Sequence, residues 1–144
     1  MKTKRIVIRT ILLIILSLLS LALTAAGVFA AMGWNMHSEA IEARPVRQVY
    51  ADASAEEHFV AFSELPGFYV DAVTATEDRD FWGHSGIDPS AICRALLHDL
   101  AAMEFAEGGS TITMQTAKNI YYTQDKRLER KAAELFTAFE LEDK

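Results

Sequence analysis

The sequence predicts a mainly α-helical protein, with one transmembrane helix followed by a small helical body. Three observations carry that expectation. An uncharged and largely apolar run of 24 residues extends from Ile11 to Trp34. Apolar residues recur at helical spacing in two later segments, 88–103 and 125–139. No segment alternates convincingly with a period of two, the pattern of a half-buried strand.

At ~1.5 Å per residue the first run reaches about 36 Å as a helix. A bilayer core is roughly 30 Å thick, so the run is long enough to span with some tilt. Lys2, Lys4, Arg5 and Arg9 precede it, and no acid occurs among the first 34 residues. The positive-inside bias then makes 1–10 a cytoplasmic tail and 11–34 the anchor, with the remainder outside. A cleavable leader is the alternative, with Val28-Phe29-Ala30 as a passable cleavage site. The apolar run exceeds the ~7–15 residues of a leader's core, which favours the uncleaved anchor.

Residues 35–63 read as a mixed connector with little periodicity, and Pro45 argues against a continuous helix through it. Leu65-Pro66-Gly67 punctuates the chain, and Pro66 suits a first helical turn. A helix is expected from about Pro66 to Arg79, with Val70, Val73 and Ala72 toward a core. Asp88-Pro89 is a cap followed by proline at the first helical position. Ile92, Ala95, Leu96, Leu100 and Met103 follow at helical spacing, and Glu107-Gly108-Gly109 ends that helix. Ser110 or Thr111 can cap a third helix carrying Ile112 and Ile120. Asp125 can cap a fourth, with Leu128, Ala132, Leu135, Phe136 and Phe139 as an apolar stripe. The domain is placed at 64–144.

The formal net charge is −6, and without the four N-terminal cations it falls to −10. No broad nucleic-acid surface fits that balance. An anionic ligand must be held by a few placed cations. The single cysteine, Cys93, excludes an internal disulfide and reads as a small core residue. No Cys/His spacing of a metal site occurs.

Two polar clusters exceed what folding needs. The first runs Glu77-Asp78-Arg79-Asp80-Phe81-Trp82-Gly83-His84-Ser85-Gly86. A carboxylate at a helix C-terminus is disfavoured by the dipole, and burial beside Phe81 and Trp82 acts in the same sense. Both make Glu77 a better proton acceptor. The plainer alternative is a solvated Glu-Asp pair matched by Arg79, with His84 a hydrogen-bonded structural histidine. The second cluster is Gly108-Gly109-Ser110-Thr111-Ile112-Thr113-Met114-Gln115. A glycine loop feeding a helix N-terminus presents N–H groups suited to a phosphate. An ordinary capped helix is the plainer alternative.

In the fourth helix Arg127, Lys131 and Glu134 lie at i, i+4 and i+7, with Arg130 four residues before Glu134. Either this is a surface ladder worth a few tenths of a kcal/mol, or it holds a carboxylate and an anionic substrate together. Spacing alone does not decide. Arg94 and Lys118 are further candidate phosphate cations.

Together these clusters resemble the transglycosylase domain of penicillin-binding proteins and of monofunctional peptidoglycan glycosyltransferases. Glu77, Asp78, Phe81, His84 and Gly86 match its Glu-Asp-x-x-Phe-x-x-His-x-Gly motif. Gly108 to Thr113 and Gln115 match Gly-Gly-Ser-Thr-Ile-Thr-Gln-Gln. Arg130, Lys131 and Glu134 match Arg-Lys-x-x-Glu. The resemblance covers about Leu65 to Lys144. It implies a lysozyme-like helical lobe at the cytoplasmic (inner) membrane, polymerising lipid II onto a growing glycan strand with release of undecaprenyl pyrophosphate. It implies Glu77 as general base and Glu134 as the second essential glutamate. It places Arg94, Lys118 and Lys126 around the donor's pyrophosphate, with no cofactor required, although a divalent cation (Mg2+ or Mn2+) assists some members. Cell-wall synthesis or division proteins are the implied partners.

The sequence departs from the family at two points. Met114 replaces the first of the paired glutamines, which is expected to weaken substrate contact without abolishing the fold. A further Lys-x-x-Ile-Leu-x-x-Tyr-Leu-Asn segment and one more motif are not in this sequence. The lobe is therefore expected to be incomplete, with Leu135 and Phe139 short of full cover and no transpeptidase domain. Two rival readings follow: an inactive anchored module binding lipid II or a partner, and a lysozyme-like hydrolase of finished glycan.

Overall fold

The computed structural model describes residues 2–103, 108–125 and 127–143. Its elements are α1 (Lys2–Ala43), α2 (Val46–Ser54), α3 (Gly67–Glu77), α4 (Pro89–Ala102), α5 (Ile112–Tyr121) and α6 (Leu128–Glu142), with single 3-10 turns at Phe62–Glu64 and Phe81–Gly83. Among the described residues there is no strand.

The apolar side chains of α1 from Ile6 to Leu23 stand exposed all round the helix, as a membrane span requires. The hydroxyls of Thr10, Ser17 and Thr24 each donate to a carbonyl one turn back, at 2.9–3.1 Å. These three hydroxyls are thereby satisfied within the helix itself.

The connector expected after Trp34 is corrected. The helix continues for nine more residues, to Ala43. Pro45 then ends it, because it lacks an N–H and drives Arg44 out of helical geometry. Pro45 itself (φ −57°, ψ 145°) stands at the start of α2. The helix persists because its inner side has a partner. Gly33 and His37 are buried against α6, with Met36, Ala40 and Ile41 half-buried at helical spacing.

That crossing is tight. A Cβ at Gly33 would lie 2.5 Å from the Ala132 Cβ and 2.8 Å from the Ala133 nitrogen. Only glycine lets the two backbones meet this closely. Trp34 packs edge-on to Phe136, with centroids 5.3 Å apart. One turn further His37 Nδ1 lies 2.9 Å from the Thr137 hydroxyl, which lies 2.5 Å from the Tyr122 hydroxyl. Thr137 is wholly buried, so this chain spares it an unpaired group costing about 1–3 kcal/mol. Burial raises the Tyr122 pKa above its ordinary value, with the Thr137 bond opposing.

Helix α6 thus lies between α1 and α5. Its buried face is Arg130, Ala133, Glu134, Thr137 and Ala138. The apolar stripe expected there is corrected in part. Leu128 is 64% exposed and Phe139 51%, while Ala132, Leu135 and Phe136 are half-buried. Neither α1 nor α5 covers the outer residues. The inner face tolerates charge because Arg130 and Glu134 compensate one another.

The other helices differ from expectation at their edges. In α3, Pro66 is the capping residue and the helix ends at Glu77, with Val70 and Val73 half-buried and Ala72 exposed. In α4, Asp88 is the cap as expected and accepts from the Ser90 and Ala91 amides. Ala95 is buried, but Leu96, Met103 and Cys93 are exposed. Cys93 is therefore not a core residue. Thr111 caps α5. Asp125 does not cap α6, because Arg127 occupies that position with no side-chain bond. The Asp125 carbonyl instead accepts from Arg130 Nε.

Candidate active site

Two cavities meet along the start of α5. The larger, about 580 Å3, is lined by the end of α3 (Thr76, Glu77), by Asp78 to Asp80, by the start of α4 (Asp88, Ser90, Ala91, Arg94), and by Gly108 to Thr111. The smaller, about 200 Å3, is lined by Ser110, Met114, Gln115 and Lys118 on one side and Arg130, Lys131 and Glu134 on the other. Ser110 belongs to both.

Glu77 is the last residue of α3, with an exposed side chain. The partial burial expected beside Phe81 and Trp82 is absent. Those rings stack edge-on to each other at 4.8 Å and leave the carboxylate in the cavity mouth. Among the described residues Arg79 forms no ion pair with Glu77, Asp78 or Asp80. Glu77 Oε2 instead accepts from Gln115 Nε2 at 3.1 Å.

Asp78 turns inward and is buried. Its Oδ2 accepts the Ile112 backbone N–H at 3.0 Å, and both oxygens lie within 3.1 Å of His84 Nε2. Negative charge at the N-terminus of α5 suits the helix dipole. His84 is buried too and packs edge-on to Phe81 at 6.2 Å. Asp78, Phe81 and His84 were expected to bind substrate. Of the three, Asp78 lines the larger cavity, and the trio braces the first cluster against α5.

The second cluster is held from below. The Thr111 hydroxyl donates to the Gly86 carbonyl at 2.6 Å and accepts the Met114 N–H at 3.1 Å. Gly86 has φ +81°, a left-handed conformation that favours glycine. Thr113, also expected as a substrate contact, faces away, with its hydroxyl donating to Glu142 Oε1 at 2.7 Å. Met114 is 1% exposed, so it fills the interior between α5 and α6. Gly108 is exposed and Gly109 lies against Ile92 and Ala91 of α4. Asp88 has its pKa lowered, chiefly by the Ser90 hydroxyl and then by the Ala91 N–H.

The third cluster closes the smaller cavity. Lys131 Nζ donates to Ser110 Oγ at 2.6 Å and pairs with Glu134 Oε2 at 3.0 Å. Glu134 also pairs with Arg130 and is almost wholly buried. Burial, then Arg130 and Lys118, push the Lys131 pKa below lysine's ordinary value. Of the two readings of this helix, the surface ladder is set aside. Among the described residues Arg127 pairs with Glu129 at 3.4 Å, outside the cluster. Lys118 lines the smaller cavity and Arg94 the larger. Lys126 lies outside the described residues.

Sequence reasoning missed Thr76 on the larger cavity wall, and it gave Asp80, a member of the first cluster, no role of its own. It also missed His37, Thr137 and Tyr122, which fix α6 from behind. A helical recurrence of 33, 37 and 40 was the available signal, hidden by the small and polar residues that carry it.

An all-helical, lysozyme-like domain behind a long apolar helix, with a carboxylate and a cation cluster flanking one helix start, defines a class of glycan-handling domains. The chain belongs to the transglycosylase family, whose model matches residues 42–144. It is 45% identical over 84 residues to penicillin-binding protein 1A of Aquifex aeolicus (strain VF5), covering 58% of this chain and 12% of that protein. It is 39% identical over 98 residues to penicillin-binding protein 1B of Vibrio cholerae, covering 68% and 13%. To penicillin-binding protein 1F of Bacillus subtilis (strain 168) it is 45% identical over 83 residues, covering 58% and 12%. The chain thus spans about an eighth of the length of these relatives.

Proposed function

We propose that the chain is a peptidoglycan glycosyltransferase that polymerises lipid II by inverting glycosyl transfer, releasing undecaprenyl pyrophosphate. The observation that carries this is the opposition of Glu77 to the Lys118–Arg130–Lys131 group across the start of α5. A base faces one side of that wall and cations line the other.

In the proposed step the acceptor's sugar hydroxyl attacks the anomeric carbon of the donor from the face opposite its diphosphate. The hydroxyl proton passes to Glu77, the new C–O bond forms, and the bond to the diphosphate breaks with its electron pair leaving on oxygen. A diphosphate is already a fair leaving group, so the site chiefly needs charge stabilisation there. Lys131, Arg130 and Lys118 supply it, with Glu134 holding the first two in place. Asp78, Thr111 and Thr113 act through the wall they brace.

Among the described residues no three His, Cys, Asp or Glu side chains stand together so as to hold a metal ion. The helix α1 keeps the domain beside a substrate confined to the bilayer, which raises its effective concentration. The orientation that fits is an internal N-terminus and an external cleft at the cytoplasmic membrane. Partners among cell-wall synthesis or division proteins fit the same reading.

The test is incubation of the purified chain in lipid vesicles with fluorescent lipid II, with Glu77→Gln as control. Polymer from the wild type and none from the variant is expected. Lipid II binding without polymer, or release of muropeptides from purified sacculi, overturns the proposal.

A further inference from the structure

We infer that Gln115 is a positioning residue for Glu77, holding Oε2 so that Oε1 is the atom that takes the proton. The inference deepens the transfer reading above and rests on it. Its basis is how α3 hands two consecutive acids to α5. Asp78 leaves helical geometry (φ −159°, ψ 81°) and its Oδ2 takes the Ile112 N–H at 3.0 Å. Its neighbour Glu77 takes the Gln115 side-chain amide at 3.1 Å. Ile112 and Gln115 are three residues apart, so they share one face of α5. Residues 77 and 78 are thus both pinned to the first turn of a single helix, and the helix sets where the base points.

The pin matters because Glu77 is exposed and its side chain has three free torsions. Among the described residues Gln115 is its only side-chain hydrogen-bond partner, and only through Oε2. An untethered carboxylate spends most of its time away from the reacting geometry, which lowers turnover without weakening substrate binding. Gln115 also lines the cation-bearing cavity while bonding a residue of the other. It therefore fixes the base relative to the cations that would meet the leaving group.

This differs from Gln115 as a substrate contact, and the kinetics separate the two. Gln115→Met keeps the length and removes the donor. The expected result is a 10- to 100-fold lower kcat with KM changed less than twofold. Gln115→Glu faces Glu77 with a second carboxylate, so the pair holds a proton to higher pH. Its acid limb of kcat is expected to move to higher pH. A raised KM with intact kcat in Gln115→Met, or unchanged kinetics in both variants, overturns the inference. A second measurement needs no turnover. The Gln115 side-chain amide resonances of the full micelle-embedded chain are expected to shift in Glu77→Ala. No shift overturns the contact itself. A wild type that makes no polymer sinks the transfer reading, while the amide shift still reports whether Gln115 holds Glu77.

Discussion

The Lys131 ammonium donates to the Ser110 hydroxyl at 2.6 Å, across 21 residues of sequence. This bond joins the loop before α5 to the charged face of α6, and both residues line the smaller cavity. A charge-assisted hydrogen bond of this kind is worth about 1.5–3 kcal/mol.

Lys131→Met keeps most of the side chain's bulk and removes both its charge and its bond to Ser110. Turnover of fluorescent lipid II is expected to fall about 100-fold or more, because the ammonium is lost as a diphosphate contact as well. Ser110→Ala removes only the anchor of the bond and is expected to cost about tenfold. Equal losses in the two variants would assign Lys131 no role beyond holding the loop.

Glu134→Gln leaves Arg130 in the interior with no counter-charge. Breaking one side of a buried pair costs about 3–5 kcal/mol, so a large drop in urea midpoint is expected even before activity is assayed. Arg130→Met with Glu134→Gln removes both charges and is expected to recover much of that stability. A double variant no more stable than the single one counts against the pairing.

Gly33→Val inserts side-chain atoms where a Cβ alone would already lie 2.5 Å from Ala132. Helices α1 and α6 must part, at a cost of about 1–3 kcal/mol. Trp34 and Phe136 then separate. In a Trp82→Phe background, the emission of Trp34, half-exposed beside Phe136, is expected to change as that ring contact is lost. An unchanged spectrum would mean the two helices are not packed in this way.

Acid stability isolates Asp88. Hydrogen bonds from Ser90 and Ala91 lower its folded pKa beneath the ordinary 3.8. The unfolded chain therefore binds the proton first as pH falls, and stability declines as pH drops through the folded value. Above 3.8 the contribution is fully present. Asp88→Asn keeps an acceptor at the cap and has no charge to titrate. The difference in Tm between wild type and variant is expected to be constant near neutrality and to shrink as the pH falls below that value. A difference independent of pH removes Asp88 from the acid response.

Local signals were legible where two of them coincided. Asp88-Pro89 combines a cap with a proline, and α4 starts there. Thr111 follows a glycine pair and caps α5. Facing was legible only where bulk and burial agree. On α6 the large apolar residues Leu128 and Phe139 point outward, while Thr137 and Glu134 are buried. Hydrophobicity could not reveal this, because the inner face is decided by Gly33 and Ala133 allowing close approach and by Arg130 matching Glu134. The two cavities depend on contacts such as Gln115 to Glu77, separated by 38 residues. Such contacts follow from tertiary packing and leave no periodic trace. The length of α1 was misjudged for the same reason, since its last turns are helical by virtue of α6.

The unbroken course of α1 from the apolar span into the folded body leaves no swivel between them. An apolar stretch longer than the local hydrocarbon thickness leans over to fit. With His37 and Gly33 locked onto α6, any lean carries the cleft with it through the same angle. A change in the lean of α1 is therefore passed directly to α6, whose Lys131 and Glu134 line the smaller cavity.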